Sequence, residues 1–172
     1  LSALRCNTTA DSNTAVGMNS LVANTTGTAN VAVGRNAGDA ITTGSCNVAI
    51  GFGSLTTNIT GTSNVAIGRD TLATNTASAN TAVGHQTLVG NTTATANTGL
   101  GFRSFYNNTT GGGNTASGYQ TLYTNTTGAS NVAIGCRALF ANTTGAENTS
   151  VGTCSLRSAT TASYNTAVGN CA

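Results

Sequence analysis

Small apolar residues recur along this chain at a fixed interval. The pentapeptide Asn-(Thr/Val)-Ala-(Val/Ile)-Gly, or a near variant, begins at Asn13, Asn30, Asn47, Asn64, Asn80, Asn97, Asn114, Asn131, Asn148 and Asn165. The step is 17 residues everywhere except for one step of 16, from Asn64 to Asn80. With this Asn as position 1, position 4 is Val, Ile or Leu in every copy but Ser117, and position 5 is always Gly. Position 9 is Leu4, Leu21, Leu55, Leu72, Leu88, Phe105, Leu122, Leu139 and Leu156, with one gap at Gly38. Positions 12 to 15 read Asn-Thr-Thr-Gly or a close variant, so residues 1–172 form a single repeat array with no room for a second domain.

Seventeen residues are too few for two packed helices, and Gly at positions 5 and 15 among Thr, Asn and Val opposes one continuous helix. The pattern predicts a coil of two short strands joined by turns, with Val/Ile on one strand and Leu on the other supplying the interior. One such coil cannot bury its apolar face alone. Stacked coils pair strand on strand in parallel, which makes the fold class all-β, a parallel β-solenoid of about ten coils. At about 4.8 Å per strand step the rod is roughly 48 Å long. The Asn at position 1 suits a side-chain amide ladder between coils. Gly at position 5 provides a positive φ at the corner.

Strand alternation sets positions 2 and 4 against positions 1, 3 and 5. Position 3 is Ala in eight copies, with Gly99 and Ser150 as exceptions. A face kept this small is expected to be buried, and two readings stay open: a tight two-sheet interior, or an interface with another chain.

Composition narrows the function classes. The chain has six Arg, no Lys and four acids, giving a net charge of +2. It has no basic face to displace counterions, so no nucleic-acid partner is expected. The carboxylates Asp11, Asp39, Asp70 and Glu147 are too few for calcium cages, and one His, His85, with no Cys-x-x-Cys pair opposes zinc. No cofactor and no metal are expected. Random ordering of such a polar chain would read as disorder; the periodicity reverses that reading.

The run from Asn114, Asn-Thr-Ala-Ser-Gly-Tyr-Gln-Thr-Leu-Tyr-Thr-Asn-Thr-Thr-Gly, resembles repeats of phage and large-virus tail-fibre or spike-like proteins and of bacterial surface proteins. Asn-Val-Ala-Ile-Gly at Asn47, Asn64 and Asn131 is similar to the repeats of trimeric autotransporter adhesin heads. The resemblance implies a left-handed parallel β-roll, commonly trimeric, that serves as a fibre or an attachment surface.

Leu1 falls at position 6 and Ala172 at position 8, nearly in phase, which leaves two readings open: head-to-tail stacking of copies into a filament, or a window of a longer array. Five cysteines without metal-ligand partners suggest an oxidising, extracellular or virion-surface setting. Cys154 and Cys171 share position 7 in consecutive coils and are the first candidates for a disulfide; Cys6, Cys46 and Cys136 form no ladder pair. Asn-x-Ser/Thr sequons at Asn7, Asn24, Asn58, Asn91, Asn108, Asn125 and Asn142 all fall at position 12, with two more at Asn107 and Asn148. On a secretory route the position-12 set predicts a row of glycans, although Asn-Thr-Thr-Gly is equally good turn chemistry. No signal peptide or apolar span of membrane length is seen, so no membrane insertion is expected.

The best grouping for catalysis is His85 with Asp70 and Ser54 or Thr87, all on corners without a pocket, so no enzyme is expected. Arg35, Arg69, Arg103 and Arg137 recur every 34 residues at positions 6 or 7, either solvated or facing a partner's acids. Thr ranks at positions 13 and 14 suggest ice binding, but a second rank breaks at Gly112, Ala129 and Ala146. Aromatic residues Phe102, Phe105, Tyr106, Tyr119, Tyr123 and Phe140 cluster around coils six to eight and suggest stacking on a cell-surface or glycan receptor, with Phe105 also a core candidate. The reading that absorbs most of the chain is a non-catalytic structural protein that self-assembles into a fibre, with adhesin head and ice-binding solenoid as alternatives.

Overall fold

The computed structural model describes residues 2–172. Each of the ten pentapeptides contributes one strand of three residues, from β1 (Thr14–Val16) to β10 (Thr166–Val168) in the last, partial coil. All ten lie in one parallel sheet in chain order. The fold is a β-solenoid, with no helix among the described residues. Register is strictly position on position: Val48 faces Val65, Ala49 faces Ala66, and Ile50 faces Ile67. The short repeat does not break it, since Val65 still faces Thr81. The missing residue is absorbed in the turn after Asn75, whose side chain reaches Ala77 two residues on, whereas Asn91 reaches Ala94 three residues on.

The expected second strand is absent. Positions 6 to 17 are stacked turns, so the Leu rank belongs to a turn and not to a sheet. Coil-to-coil hydrogen bonding nevertheless continues through them, with Leu21 N–H donating to Ala37 C=O (3.1 Å) and Thr25 N–H to Thr42 C=O (2.9 Å). The reason is backbone handedness. Three positions per coil, 7, 9 and 17, are left-handed; among the described residues 27 non-glycine residues have positive φ, including eight Leu and Phe105 at 46° to 56°. Left-handed conformation costs an L-residue roughly 1–2 kcal/mol. A backbone alternating between right- and left-handed corners cannot extend into a second strand.

Gly at position 5 does adopt the expected positive φ, between 120° and 141°. Steric room gives it a second reason. A Cβ on Gly101 would clash with the carbonyl oxygen of Gly118 in the next coil.

The interior corrects the sequence-based inside and outside. Ala32, Ala49, Ala66, Ala82, Ala116 and Ala133 at position 3 are fully buried against the Leu rank. The Val/Ile residues at position 4 point outward and are half-buried or exposed, as with Ile134 at 43% and Leu100 at 40%. A coil this flat leaves space between sheet and turn for one methyl and one Leu, so the larger β-branched residues lie on the other side of the strand.

Candidate interaction surfaces

Two columns of Asn hold the coils together from inside. The first is position 1, where Asn30, Asn47, Asn64, Asn80, Asn97, Asn114, Asn131 and Asn148 are buried, and Asn13 and Asn165 near the ends are half-buried. Oδ1 of Asn30 accepts from both the backbone N–H (3.0 Å) and the Nδ2 (3.1 Å) of Asn47. The Nδ2 of Asn47 also donates to Gly61 C=O at 2.9 Å. The second column is position 12, for which the sequence left a row of glycans and turn chemistry both open. Asn108 Nδ2 donates to Asn91 Oδ1 (2.9 Å), Asn125 to Asn108 (2.8 Å) and Asn142 to Asn125 (2.7 Å). Asn58 Nδ2 reaches the same Gly61 carbonyl at 2.9 Å, so both columns converge on position 15.

This overturns the glycan row. Asn24, Asn58, Asn91, Asn108, Asn125 and Asn142 are 0% exposed, and a buried amide nitrogen already donating inside the coil has no room for a sugar. Asn148 is equally buried; Asn7, in the first coil, and Asn107, at position 11, are exposed. Three buried Asn oxygens without a donor, Asn24 Oδ1, Asn58 Oδ1 and Asn142 Oδ1, mark where the second column is interrupted. The next residue in the column is Ile41 after Asn24 and Ala159 after Asn142. After Asn58 it is Asn75, in the shortened turn.

Outside, two surfaces stand apart. The first is the outer face of the sheet. Positions 2 and 4 present only Val, Ile, Leu, Thr and Ser over ten strands, without a single charge. Their span is about 43 Å, nine intervals of ~4.8 Å.

The second is the corner made by positions 6, 7 and 10 in coils five to nine. Phe102 has His85 on one side (5.4 Å between centroids) and Tyr119 on the other (5.5 Å, 8° between planes). In a parallel column Tyr123 lies between Tyr106 (5.2 Å) and Phe140 (5.3 Å). Two arginines bridge the columns. The Arg103 guanidinium sits over Phe102 (5.1 Å) and Tyr106 (5.4 Å), and that of Arg137 over Tyr119 (5.8 Å) and Phe140 (5.7 Å). Each is tethered through Nε to a Gln one coil earlier, Gln86 Oε1 at 2.9 Å and Gln120 Oε1 at 3.1 Å. Sequence reading found these residues but missed their arrangement, because positions 6, 7 and 10 become neighbours only once the turn between them is known. Arg35 and Arg69 form a separate group on either side of Phe52, at 5.8 and 5.5 Å.

The remaining candidates are placed as follows. Thr87 Oγ1 donates to Gly101 C=O, Ser54 Oγ to Gly51 C=O at 3.2 Å, and Asp70 pairs with Arg69 at 3.2 Å. His85 packs against Phe102 at a 39° tilt, and these four do not form a relay. Position-13 hydroxyls are engaged: Thr25, Thr92, Thr109 and Thr126 each donate to the carbonyl of the next coil at 3.0–3.1 Å. All five cysteines are free thiols, Cys154 half-buried and Cys6, Cys46, Cys136 and Cys171 exposed, so the Cys154–Cys171 bridge is not formed. No helix is long and apolar enough to cross a membrane among the described residues. No protein-family model, curated protein or solved structure matches the chain.

Proposed function

We propose that this chain is a non-catalytic structural rod of a fibre at a cell or virion exterior, built by self-association of copies through the outer face of the sheet. The observation that carries the reading is that face: ten strands of outward Val, Ile, Leu, Thr and Ser without charge. Position 4 of that face is Val, Ile or Leu in nine of the ten strands, and monomeric proteins rarely leave extended apolar surface exposed. Strict register makes the stripe straight and repetitive, so a second copy bearing the same stripe matches it along its length. Uncharged positions suit a repeated surface, because a charge recurring about every 4.8 Å repels itself. The resemblance to trimeric adhesin heads points the same way. Light scattering after size exclusion, with negative-stain images, tests it: associated rods are expected, and a single-chain particle at all concentrations contradicts it.

A further inference from the structure

We infer that the aromatic and arginine corner is a binding site for a linear acidic polysaccharide lying along the rod. The inference does not depend on self-association, which uses a different face.

The cations there have no internal partner. Among the described residues the ion pair found is Arg69 with Asp70. Between Asn80 and Tyr164 the chain has one acid, Glu147, at position 17 on another corner. Arg103 and Arg137, both half-buried, and the exposed Arg157 therefore have no acid partner over coils six to nine. Arg103 and Arg137 are also held in place. Nε is taken up by a Gln Oε1, and each guanidinium rests on two rings, so the two Nη groups remain as a fixed fork. Such a fork matches a carboxylate or a sulfate with two parallel hydrogen bonds. The two forks are two coils apart, about 9.6 Å along the axis. A linear glycan with one acid per disaccharide repeats its charge on a comparable scale, and it offers hydroxyls to the Gln120 amide between the forks.

The same geometry disfavours the other polymers. Neutral sugars and unpaired bases bind aromatic side chains by stacking on an open ring face. Here Phe102 and Tyr123 have neighbours on both faces, and Tyr119 and Phe140 lie under guanidinium groups. The rings present edges, and their role is to position the cations. A net charge of +2 supplies no general attraction to a nucleic acid.

Binding of immobilised full-length protein to a hyaluronan oligosaccharide, which carries one carboxylate per disaccharide, to a heparin-derived oligosaccharide, a neutral dextran oligomer and oligothymidylate tests the site. One or both acidic glycans are expected to bind, with the neutral one silent. The double variant Arg103→Gln/Arg137→Gln is expected to lose about tenfold or more in affinity. Arg103→Lys/Arg137→Lys is expected to fall between, since charge is kept and the fork lost. Arg35→Gln, outside the clamp, should be neutral, and a thermal melt of each variant checks that the rod is intact. The proposal is overturned if no acidic glycan binds, if dextran or oligothymidylate binds as well, or if Arg35→Gln matters as much as the double variant.

Discussion

Ile41 occupies the space that Gly38 leaves. A Cβ on Gly38 would stand 3.0 Å from Ile41 Cδ1 and 3.3 Å from Leu21 Cδ2. Ile41 is itself fully buried within the Leu rank. In this one coil the Leu of position 9 and the Asn of position 12 are exchanged for Gly and Ile together, so the core stays filled while the second Asn column is broken. The broken column is what leaves Asn24 Oδ1 without a donor.

The pair is therefore expected to be strongly coupled. Ile41→Ala should cost about 2–5 kcal/mol, as for other buried aliphatic truncations. Gly38→Leu alone should overpack and also destabilise. The double change Gly38→Leu/Ile41→Asn restores the pattern of the other coils and rejoins the column between Asn24 and Asn58. Urea denaturation of both single variants and the double should show it clearly more stable than the sum of the singles. Additive losses would mean that the two positions do not share one space.

Asn114 is the best place to weigh the first column. Its amide accepts from Asn131 (N–H at 2.8 Å, Nδ2 at 3.1 Å) and donates to Asn97 (3.2 Å) and Gly128 C=O (2.9 Å). Asn114→Ala strands several buried groups at once, each worth about 1–3 kcal/mol. Asn13→Ala, at a half-buried end position, should cost much less. Equal shifts in the unfolding midpoint would show that the ladder does not hold the interior coils. Because coils stack in one dimension, a broken interior coil is also expected to split the transition into two.

Asp39 gives the pH dependence a sign. Burial raises its pKa, and backbone N–H groups of Asp39 and Ala40 offset this in part; Oδ1 is buried without a partner. A carboxyl whose folded pKa lies above its unfolded value binds its proton more tightly when folded. Its cost is therefore present at neutral pH and relieved as pH falls through the folded pKa. Asp39→Asn should raise the melting temperature at pH 7, with the gain shrinking in acid. A variant that is less stable at neutral pH would refute this.

Thiol chemistry separates the observed state from the bridge that stacking suggests. In the native protein Cys6, Cys46, Cys136 and Cys171 should react promptly with a maleimide and half-buried Cys154 more slowly, with five adducts by mass spectrometry. Protection of Cys154 and Cys171 together, lifted by reductant, would show that they pair.

The period, the parallel stacking and the Asn and Gly roles are legible in the sequence because each depends only on identity at a fixed spacing. Inside and outside were not. In a strand as short as Val65-Ala66-Ile67 both faces are apolar, and the larger residues invite the core, but the space behind the strand admits only a methyl. The turns were hidden because Leu is a poor sequence signal for positive φ; Leu88 adopts it since its side chain fills the core from there. The second Asn column had the composition of a sequon. The one available clue was the paired departure at Gly38 and Ile41, which shows position 12 facing the same space as position 9. On the outer corner, Arg103 and Arg137 were seen as a row, but their clamp depends on ring positions set by those unread turns.

Sedimentation equilibrium of the full chain against two single variants tests the proposed self-association most directly. Ile67→Lys places a charge in the middle of the outer sheet face, and Thr93→Lys places the same charge on the exposed position-14 rank. The wild type and Thr93→Lys should sediment as the same oligomer, and Ile67→Lys as a single chain with an unchanged circular dichroism spectrum. A monomeric wild type, or an oligomer indifferent to Ile67→Lys, would contradict the assignment of that face as the interface.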